Sequence, residues 1–269
     1  MERRFVKVEK GLGPQGRVAV VRFDRGDNIN ALSQQAMREL RDVPRDFEDD
    51  LETSVVILTG SAKAFSAGFD LKDSEGRQRD TLSVGERVHR QRLGPRMCKA
   101  WQDMDQVTIA AIEGHCIGGG AALVVSLDFR TCGKSAHFRI PEVELGMNMS
   151  WGSIPRMLAL MGPARTKQAV ILASDRISSA EALAWGLVEN VVADGKAFDA
   201  AIEFADRITR QPPIPVRMTK STVNRLAYAL NDLAAHMDAD QNVLTSLTED
   251  YKEGTSAFRE KRKPSFKGR

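Results

Sequence analysis

The chain has 269 residues, of which 42% are hydrophobic and 28% charged, with a formal net charge of +3 at pH 7. This composition is typical of an ordinary globular protein with a sizeable core, and it lacks the apolar run of about 18 residues that a membrane span needs. The first residues, MERRFVKVEK, do not resemble a signal or transit peptide. The three cysteines form no C-x-x-C pair, so we expect reduced, buried thiols and a cytoplasmic location: Cys98, Cys116 and Cys132.

Strand and helix patterns alternate over the first half of the chain. Alternating or continuous apolar runs predict strands over residues 5–9, 17–23, 55–58, 108–112, 128–132 and 136–140. Ser33 is suited to cap a helix over residues 34–47, and a helix over residues 83–104 should break or kink at Gly94-Pro95. This alternation predicts an α/β body whose functional loops lie at the carboxyl ends of its strands.

The pattern becomes helical from Trp151 onward. Helices are predicted over residues 154–173, 178–186, 196–209 and 216–247. We therefore expect a core over residues 1–200 and a helical C-terminal region over residues 201–269. The polar stretch 73–80 is predicted to be a mobile loop beside a ligand pocket.

Basic residues are concentrated in residues 77–99 and in the C-terminal residues 252–269. This local density suits a phosphorylated ligand, although solvated helix faces would give the same pattern. Few aromatic residues lie among the basic ones, so we expect no nucleic-acid partner. The four histidines have no ligand spacing, so we expect no metal site.

Two glycine turns follow apolar strands. Residues 109–120 run into Gly118-Gly119-Gly120 before a helix-forming run, and a second turn follows the strand at residues 55–58 in the stretch AFSAGFDLK. Free backbone N–H groups at such turns can hold an anion, either a phosphate or the oxygen of a polarised carbonyl. The phosphate alternative is weaker, because neither G-x-x-x-x-G-K-[ST] nor a complete dinucleotide-binding pattern is present.

Four segments in this order, AFSAGFDLK, IEGHCIGGGAAL, FRIPEVELG and EGTSAFREKRKPSFKGR, resemble the crotonase superfamily, the enoyl-CoA hydratase/isomerase group. The resemblance covers nearly the whole chain. It implies an α/β crotonase-like (ClpP/crotonase) fold of repeated ββα units with a helical C-terminal trimerisation region. It also implies an acyl-CoA thioester as substrate, no cofactor besides the coenzyme A of that substrate, and a homotrimer or dimer of trimers.

The resemblance also implies roles for particular residues. The backbone N–H groups of Phe69 and Gly119 match the oxyanion hole for the thioester carbonyl. Coenzyme A contacts fall on Ala31, Ala67, Asp70, Leu71 and Lys72, whereas Gly26 replaces a proline that is common in relatives. Phe258 and Lys261 match tail positions that close over coenzyme A, in the same or a neighbouring subunit; the alternative is a solvated charged tail.

Glu142 is the carboxylate at a family catalytic position, and we expect it to remove a proton next to the thioester. Glu144 alternates with it and is the weaker candidate. Hydratases of the family generally have a second glutamate where this chain has Ala122. Met147, Met149 and Trp151 replace a glycine-rich loop, and they either line the acyl pocket or pack in the core.

With one glutamate, the simplest reaction is a shift of the double bond from Δ3 to Δ2 in an enoyl-CoA. Hydration of a 2-enoyl-CoA with another acid or base, for example from the loop 73–80, is the first alternative. A catalytically silent relative that binds acyl-CoA, or serves as a scaffold, is the second. The acyl group itself cannot be identified from the sequence.

Overall fold

The computed structural model describes residues 3–73, 82–173 and 175–269, so the predicted loop 73–80 lies almost entirely outside the described residues. The strands are, in chain order, β1 (Val6–Leu12), β2 (Val18–Phe23), β3 (Val55–Thr59), β4 (Ala64–Ser66), β5 (Val107–Ile112), β6 (His115–Ile117), β7 (Phe129–Gly133), β8 (His137–Arg139), β9 (Ile177–Ser178) and β10 (Asn190–Val192). They form a six-stranded sheet of order β1-β2-β3-β5-β7-β10 and a four-stranded sheet of order β4-β6-β8-β9.

The six-stranded sheet is buried on both faces. β1 and β2 form an antiparallel hairpin, and the remaining neighbours are parallel. Alternate side chains of each strand point to opposite faces. Val55 and Ile57 of β3 therefore pack in one cluster, whereas Val56 and Leu58 pack in the other. This is why the strand reads as a continuous apolar run rather than an alternating one.

Helices pack on both faces of the six-stranded sheet, and others lie in the C-terminal part of the chain. They are α1 (Gln34–Asp42), α2 (Val84–Gln91), α3 (Leu93–Gln102), α4 (Gly119–Val124), α5 (Ser153–Ile171), α6 (Ser179–Trp185), α7 (Ala197–Thr209), α8 (Pro213–Ala227), α9 (Asn231–Ala235), α10 (Asp238–Ser246) and α11 (Glu249–Glu260). Short 3₁₀ helices lie at Val43–Phe47 and Val143–Leu145. None of the described helices combines the length and apolarity that a membrane span requires.

Two predicted helices of the first half differ from the structure in where they end or break. Ser33 caps α1 by accepting a hydrogen bond from Ala36 N, but the helix tightens to 3₁₀ geometry after Asp42, next to Pro44. The helix expected over residues 83–104 is divided at Arg92 into α2 and α3. Because Pro95 has no N–H to donate to the carbonyl of Gln91, the α-helical ladder is interrupted there.

The predicted single helix over residues 216–247 is wrong. This stretch consists of most of α8 followed by α9 and α10, with interruptions around Tyr228 and Met237. The helical pattern of the sequence continues through both interruptions, so it provided no signal for them. The interruption around Met237 places Asp238 at the start of α10, where its carboxylate accepts a hydrogen bond of 2.7 Å from Gly152 N.

The expected boundary between residues 200 and 201 falls inside α7. Ala201 and Ala205 of this helix pack against Val18, Val55 and other residues of the six-stranded sheet. α7 therefore covers a face of the core. The helices from Pro213 onward form the C-terminal part of the chain.

All three cysteines are buried thiols, as the sequence predicts. Burial raises the pKa of each of them, that of Cys132 to about 12. They act as small apolar residues in the core.

Candidate active site

Three parallel strands of the four-stranded sheet bring the predicted catalytic segments together. β4 pairs with β6, and β6 pairs with β8. Because the carboxyl ends of parallel strands lie at the same edge of a sheet, the segments that follow them are neighbours. These segments carry Phe69 after β4, Gly119 after β6 and Glu142 after β8.

The first two turns are in backbone contact. A Cβ atom added to Gly68 would lie 2.6 Å from the carbonyl oxygen of Ile117, and one added to Gly120 would lie 2.9 Å from the Cβ of Ser66. Gly68 also has a φ of +83°, which other residues rarely adopt. Only glycine therefore lets these two turns approach so closely.

The same contact brings two backbone N–H groups close together, since a Cβ on Gly68 would lie 3.2 Å from Gly119 N. Leu32 N donates to Gly68 O at 2.7 Å, and Asp70 N donates to Leu32 O at 3.1 Å. In this parallel bridge the N–H of Phe69 points away from Leu32. Gly119 is the first residue of α4, where an N–H has no acceptor within its own helix. The N–H groups of Phe69 and Gly119 thus belong to neighbouring turns that both line the cavity described next.

A cavity of about 320 Å³ opens in front of these groups. Its lining includes Gly118, Ala122, Met147, Met149 and the following predicted site residues: Ala67, Phe69, Asp70, Leu71, Gly119, Glu142, Trp151 and Phe258. Most of its surface is apolar, which suits a hydrocarbon group held next to a few fixed polar atoms. No group of His, Cys, Asp and Glu side chains within the three described ranges is arranged to hold a metal ion.

Glu142 is held rigidly at the cavity. Its carbonyl oxygen accepts hydrogen bonds from Leu145 N at 3.1 Å and Met147 N at 2.9 Å. Its Oε1 lies so near the glycine turn that a Cβ on Gly118 would be 2.7 Å away. Its Oε2 is buried and has no hydrogen-bond partner among the described residues. Burial raises the pKa of Glu142 to about 7, more than the charge of Arg139 lowers it. A carboxyl with this pKa can both accept and return a proton near neutral pH.

The cavity has no second carboxyl next to Glu142 in its described lining. Ala122 is fully buried and lines the cavity, but it has no acidic group. Glu144 forms an ion pair with Arg139 and is not part of the lining. Asp70 does line the cavity, but it forms an ion pair of 2.7 Å with Arg25.

The ring of Trp151 forms a wall of the cavity. A Cβ on Gly94 would lie 2.1 Å from the indole, and one on Gly119 would lie 2.6 Å from it, so the ring is wedged between two glycines. Its backbone has a φ of +65°, which is strained for a bulky residue. Trp151 is also among the residues that line a separate cleft of about 760 Å³ between α3 and the C-terminal helices. Trp151 is thus shared by the linings of the two spaces.

The comparison with known proteins agrees with this geometry. The sequence profile described as Enoyl-CoA hydratase/isomerase matches residues 13–269. The chain belongs to the enoyl-CoA hydratase/isomerase family. It is 34% identical to the short-chain-enoyl-CoA hydratase of Clostridium acetobutylicum, with both chains covered completely, and 33% identical to the crotonyl-CoA hydratase of Syntrophomonas wolfei over 95% of this chain and 96% of that protein.

The structure of a carnitinyl-CoA hydratase from Mycobacterium avium is similar to this one, with a TM-score of 0.81, 29% identity and both chains covered completely. The predicted crotonase fold is therefore confirmed.

Three residues that the family pattern assigns to coenzyme A do not line the cavity. Ala31 is buried behind it, whereas Lys72 and Lys261 are exposed. Arg25 links two parts of this region, because its Nη1 donates to Ala31 O at 2.8 Å and to Asp70 Oδ2 at 2.7 Å. The loops that carry Ala31 and Asp70 are thus held together beside the cavity.

The sequence analysis did not assign Arg87, Arg90 and Gln91 of α2, which also line the cavity. The concentration of basic residues over 77–99 is visible in the sequence, but it does not indicate that this helix faces the cavity. Tyr251 of α11 and Asn242 of α10 were missed as well.

Replacing Glu142 by Gln should stabilise the folded enzyme at alkaline pH. Because the folded-state pKa of about 7 lies above the ordinary carboxyl pKa of 4.5, the unfolded state ionises first as the pH rises, which favours unfolding. The amide of the variant does not ionise in either state. We expect the free energy of unfolding of the variant to exceed that of the wild type by up to about 3 kcal/mol at pH 8.

This difference should vanish below about pH 4.5, where the carboxyl is protonated in both states. Urea unfolding of both proteins at pH 4 and pH 8 measures it. If the wild type and the variant were equally stable at pH 4 and also at pH 8, a raised pKa for Glu142 would be contradicted.

Replacing Trp151 by Gly should join the cavity to the neighbouring cleft. Glycine tolerates the φ of +65°, so the variant relieves backbone strain while it removes the wall. We expect the ratio of kcat/KM for a twelve-carbon acyl-CoA to that for a four-carbon one to rise about tenfold. Trp151→Phe, which keeps an aromatic wall, is the matched control. An unchanged ratio in Trp151→Gly would show that another part of the cavity limits the chain length.

Proposed function

We propose that this enzyme moves a proton between two carbon atoms of an enoyl-CoA, from the Δ3 to the Δ2 isomer, through an enolate of the thioester. The observation that carries the proposal is the carboxyl of Glu142, whose Oε2 is buried without a hydrogen-bond partner among the described residues and whose Oε1 lies close to the glycine turn that leads to Gly119. The isomerisation needs one acid–base group that acts at two carbons, and Glu142 is such a group.

The steps follow from the geometry. The N–H groups of Phe69 and Gly119 donate to the thioester oxygen, which makes the proton on C2 more acidic. Glu142 takes this proton as the C2–H bond breaks, and the negative charge spreads over the oxygen, C2 and C4. The protonated carboxyl then delivers a proton to C4, so the double bond moves from C3–C4 to C2–C3. Glu142 returns to its carboxylate form and no atoms are gained or lost.

Hydration of a 2-enoyl-CoA is the second candidate. The relatives described above are named as hydratases, which favours it. Hydration must position a water molecule and also protonate C2. In this chain Ala122 can do neither, so an acid from outside the described lining or from the substrate would have to assist Glu142.

Coenzyme A is part of the substrate, and the proposal requires no separate cofactor. We propose that it lies along the loops that carry Ala31, Ala67, Asp70, Leu71 and Lys72. The ion pair between Arg25 and Asp70 supports this placement, because it fixes these loops relative to each other. Phe258 lines the cavity, and Lys261, three residues further along the chain, is exposed; we propose that it binds a phosphate of coenzyme A.

We propose further that the enzyme is a homotrimer or a dimer of trimers. Large apolar side chains are exposed along α8, α9 and the start of α5: Ile154, Leu158, Ile214, Met218, Val223, Leu226, Leu230 and Leu233. An exposed apolar surface of this extent is typical of an interface with another chain. The buried thiols fit the reducing cytoplasm that the sequence analysis predicts.

Replacing Glu142 by Gln should lower kcat for both reactions by about 10²–10⁴, because the amide cannot accept a proton. The measurement follows conversion of 3-pentenoyl-CoA and hydration of 2-pentenoyl-CoA at the same enzyme concentration. Glu144→Gln is the comparison, since this carboxylate is paired with Arg139 outside the cavity, and it should stay within about tenfold of the wild type.

The relative rates decide between the two candidates. Faster conversion of 3-pentenoyl-CoA supports isomerisation, whereas hydration without isomerisation supports the second candidate. In deuterated water, a one-base isomerisation should leave part of the product without solvent deuterium at C4. If Glu142→Gln retained both activities, Glu142 would not be the base.

The oligomer should depend on the apolar surface of the C-terminal helices. Sedimentation velocity should give the mass of three or six copies of the 29.7 kDa chain. A Leu226→Glu, Leu230→Glu double variant should dissociate, because charged side chains are costly to bury at an interface. Ile171→Glu, which changes an exposed apolar residue at the far end of α5, should leave the mass unchanged. A monomeric wild type would overturn the proposal.

A further inference from the structure

Two successive residues with left-handed backbone conformation precede α5. Trp151 has a φ of +65° and Gly152 a φ of +64°. Glycine adopts this conformation freely, whereas a bulky residue keeps it only where its surroundings hold it. A Cβ on Gly152 would lie 3.0 Å from Nη1 of Arg156 and 3.7 Å from the Cβ of Ala235. The turn is therefore packed against both α5 and α9, and these neighbours determine the conformation of Trp151.

The peptide unit between Trp151 and Gly152 is hydrogen-bonded at both of its polar ends. Nη1 of Arg156 donates to Trp151 O at 2.8 Å, and Oδ2 of Asp238 accepts from Gly152 N at 2.7 Å. Nε of Arg156 also donates to Oε1 of Gln102 at 2.6 Å, which fixes the guanidinium itself. Two opposite bonds to one peptide unit set its orientation, and with it the direction of the indole.

These bonds join three helices, because Gln102 ends α3, Arg156 belongs to α5 and Asp238 begins α10. Arg156 is buried and Asp238 is half-buried. Burial raises the pKa of Asp238, more than the hydrogen bond from Gly152 N and the charge of Arg156 lower it. Hydrogen bonds to charged groups that are shielded from water are the stronger ones. Losing the carboxylate of Asp238 should therefore release the peptide unit.

The position of the indole sets the room available next to the glycine turn. The ring lies between Gly94 and Gly119, where added Cβ atoms would come within 2.1 Å and 2.6 Å of it. Within the described residues, Trp151 is the one member common to the linings of the cavity of about 320 Å³ and the cleft of about 760 Å³. Turning the peptide unit would move the indole off Gly119 and add space from the cleft to the cavity.

We propose that Asp238 and Arg156 are positioning residues that limit the length of the acyl group, by holding Trp151 as a wall next to Gly119. This inference rests on the proposed acyl-CoA function of the site. Neither residue belongs to the described lining of the cavity, so both act through Trp151.

Binding of two saturated analogues tests the limit on acyl length without relying on turnover. Isothermal titration calorimetry gives the Kd of butanoyl-CoA and of octanoyl-CoA for the wild type, Asp238→Ala, Asp238→Asn and Asp240→Ala. Asp240 is the matched control, because it is an exposed carboxylate in the same first turn of α10.

We expect Asp238→Ala to shift the ratio of the two Kd values about fivefold or more in favour of octanoyl-CoA, because the bond to Gly152 N is lost. Asp238→Asn keeps an acceptor oxygen, so its ratio should stay within about twofold of the wild type, as should that of Asp240→Ala. A Kd for butanoyl-CoA close to that of the wild type shows that a variant is folded.

Two further variants separate positioning from a general structural role. In a Trp151→Gly background there is no indole to hold, so Asp238→Ala should leave the ratio unchanged. Gln102→Ala removes the acceptor of Arg156 from the side of α3, and it should shift the ratio in the same direction as Asp238→Ala. It also tests the proposal if Asp238→Ala does not fold. An equal shift with and without the indole would overturn the proposal.

Fluorine NMR of protein labelled with 5-fluorotryptophan follows the indole directly. The chain has three tryptophans, Trp101, Trp151 and Trp185, and Trp151→Phe assigns the resonance of interest. We expect Asp238→Ala to move that resonance, and Asp238→Asn and Asp240→Ala to leave it in place.

An unmoved resonance in Asp238→Ala would overturn the positioning role. A moved resonance with an unchanged ratio of Kd values would overturn the limit on acyl length. A wild type that binds neither analogue would overturn the acyl-CoA function and the length limit together, while the resonance still decides whether Asp238 positions Trp151.

Discussion

The site depends on one backbone contact that only glycine permits. The turn after β4 and the turn after β6 approach until Gly68 meets the carbonyl of Ile117 and Gly120 meets Ser66. Any Cβ at these positions would push the turns apart, and the N–H groups of Phe69 and Gly119 would move away from each other. The third glycine, Gly118, has no side chain, so the carboxyl of Glu142 can lie against the same turn. The three groups that we propose as oxyanion donors and base are therefore positioned together, by backbone packing rather than by flexible side chains.

The environment of Glu142 connects catalysis with stability. Its Oε2 has no partner within the described residues, and burial raises the pKa of the carboxyl to about 7. An ionised group in this position destabilises the fold, and the cost is tolerated because the surrounding turn is rigid. α11 contributes to that rigidity, since a Cβ at Gly254 would lie 2.7 Å from the backbone carbon of Leu145. Helix α11 thus packs against the segment that carries Glu142, and its residues Tyr251 and Phe258 line the cavity.

The acyl pocket is defined by elements that are far apart in the chain. Trp151 closes one side and is held in its strained conformation by neighbours: Arg156 donates to its carbonyl at 2.8 Å, and Asp238 accepts from Gly152 N at 2.7 Å. Another side is lined by Arg87, Arg90 and Gln91 of α2. The indole of Trp151 narrows the cavity next to Gly119.

The sequence by itself determined the α/β core, most strands and the family, because these depend on local patterns: strand periodicity, capping residues and glycine turns. The resemblance to the family assigned Phe69, Gly119 and Glu142, whereas the pairing of β4, β6 and β8 that brings their segments together was found only in the structure. Other features depend on how distant elements pack, which no local pattern encodes. Only the tertiary structure decided that Glu144 pairs with Arg139, that Trp151 is wedged between Gly94 and Gly119, that the predicted C-terminal helix is interrupted, and that Arg87 and Arg90 face the cavity. The direction of each of these side chains is set by contacts between residues that are remote in the sequence.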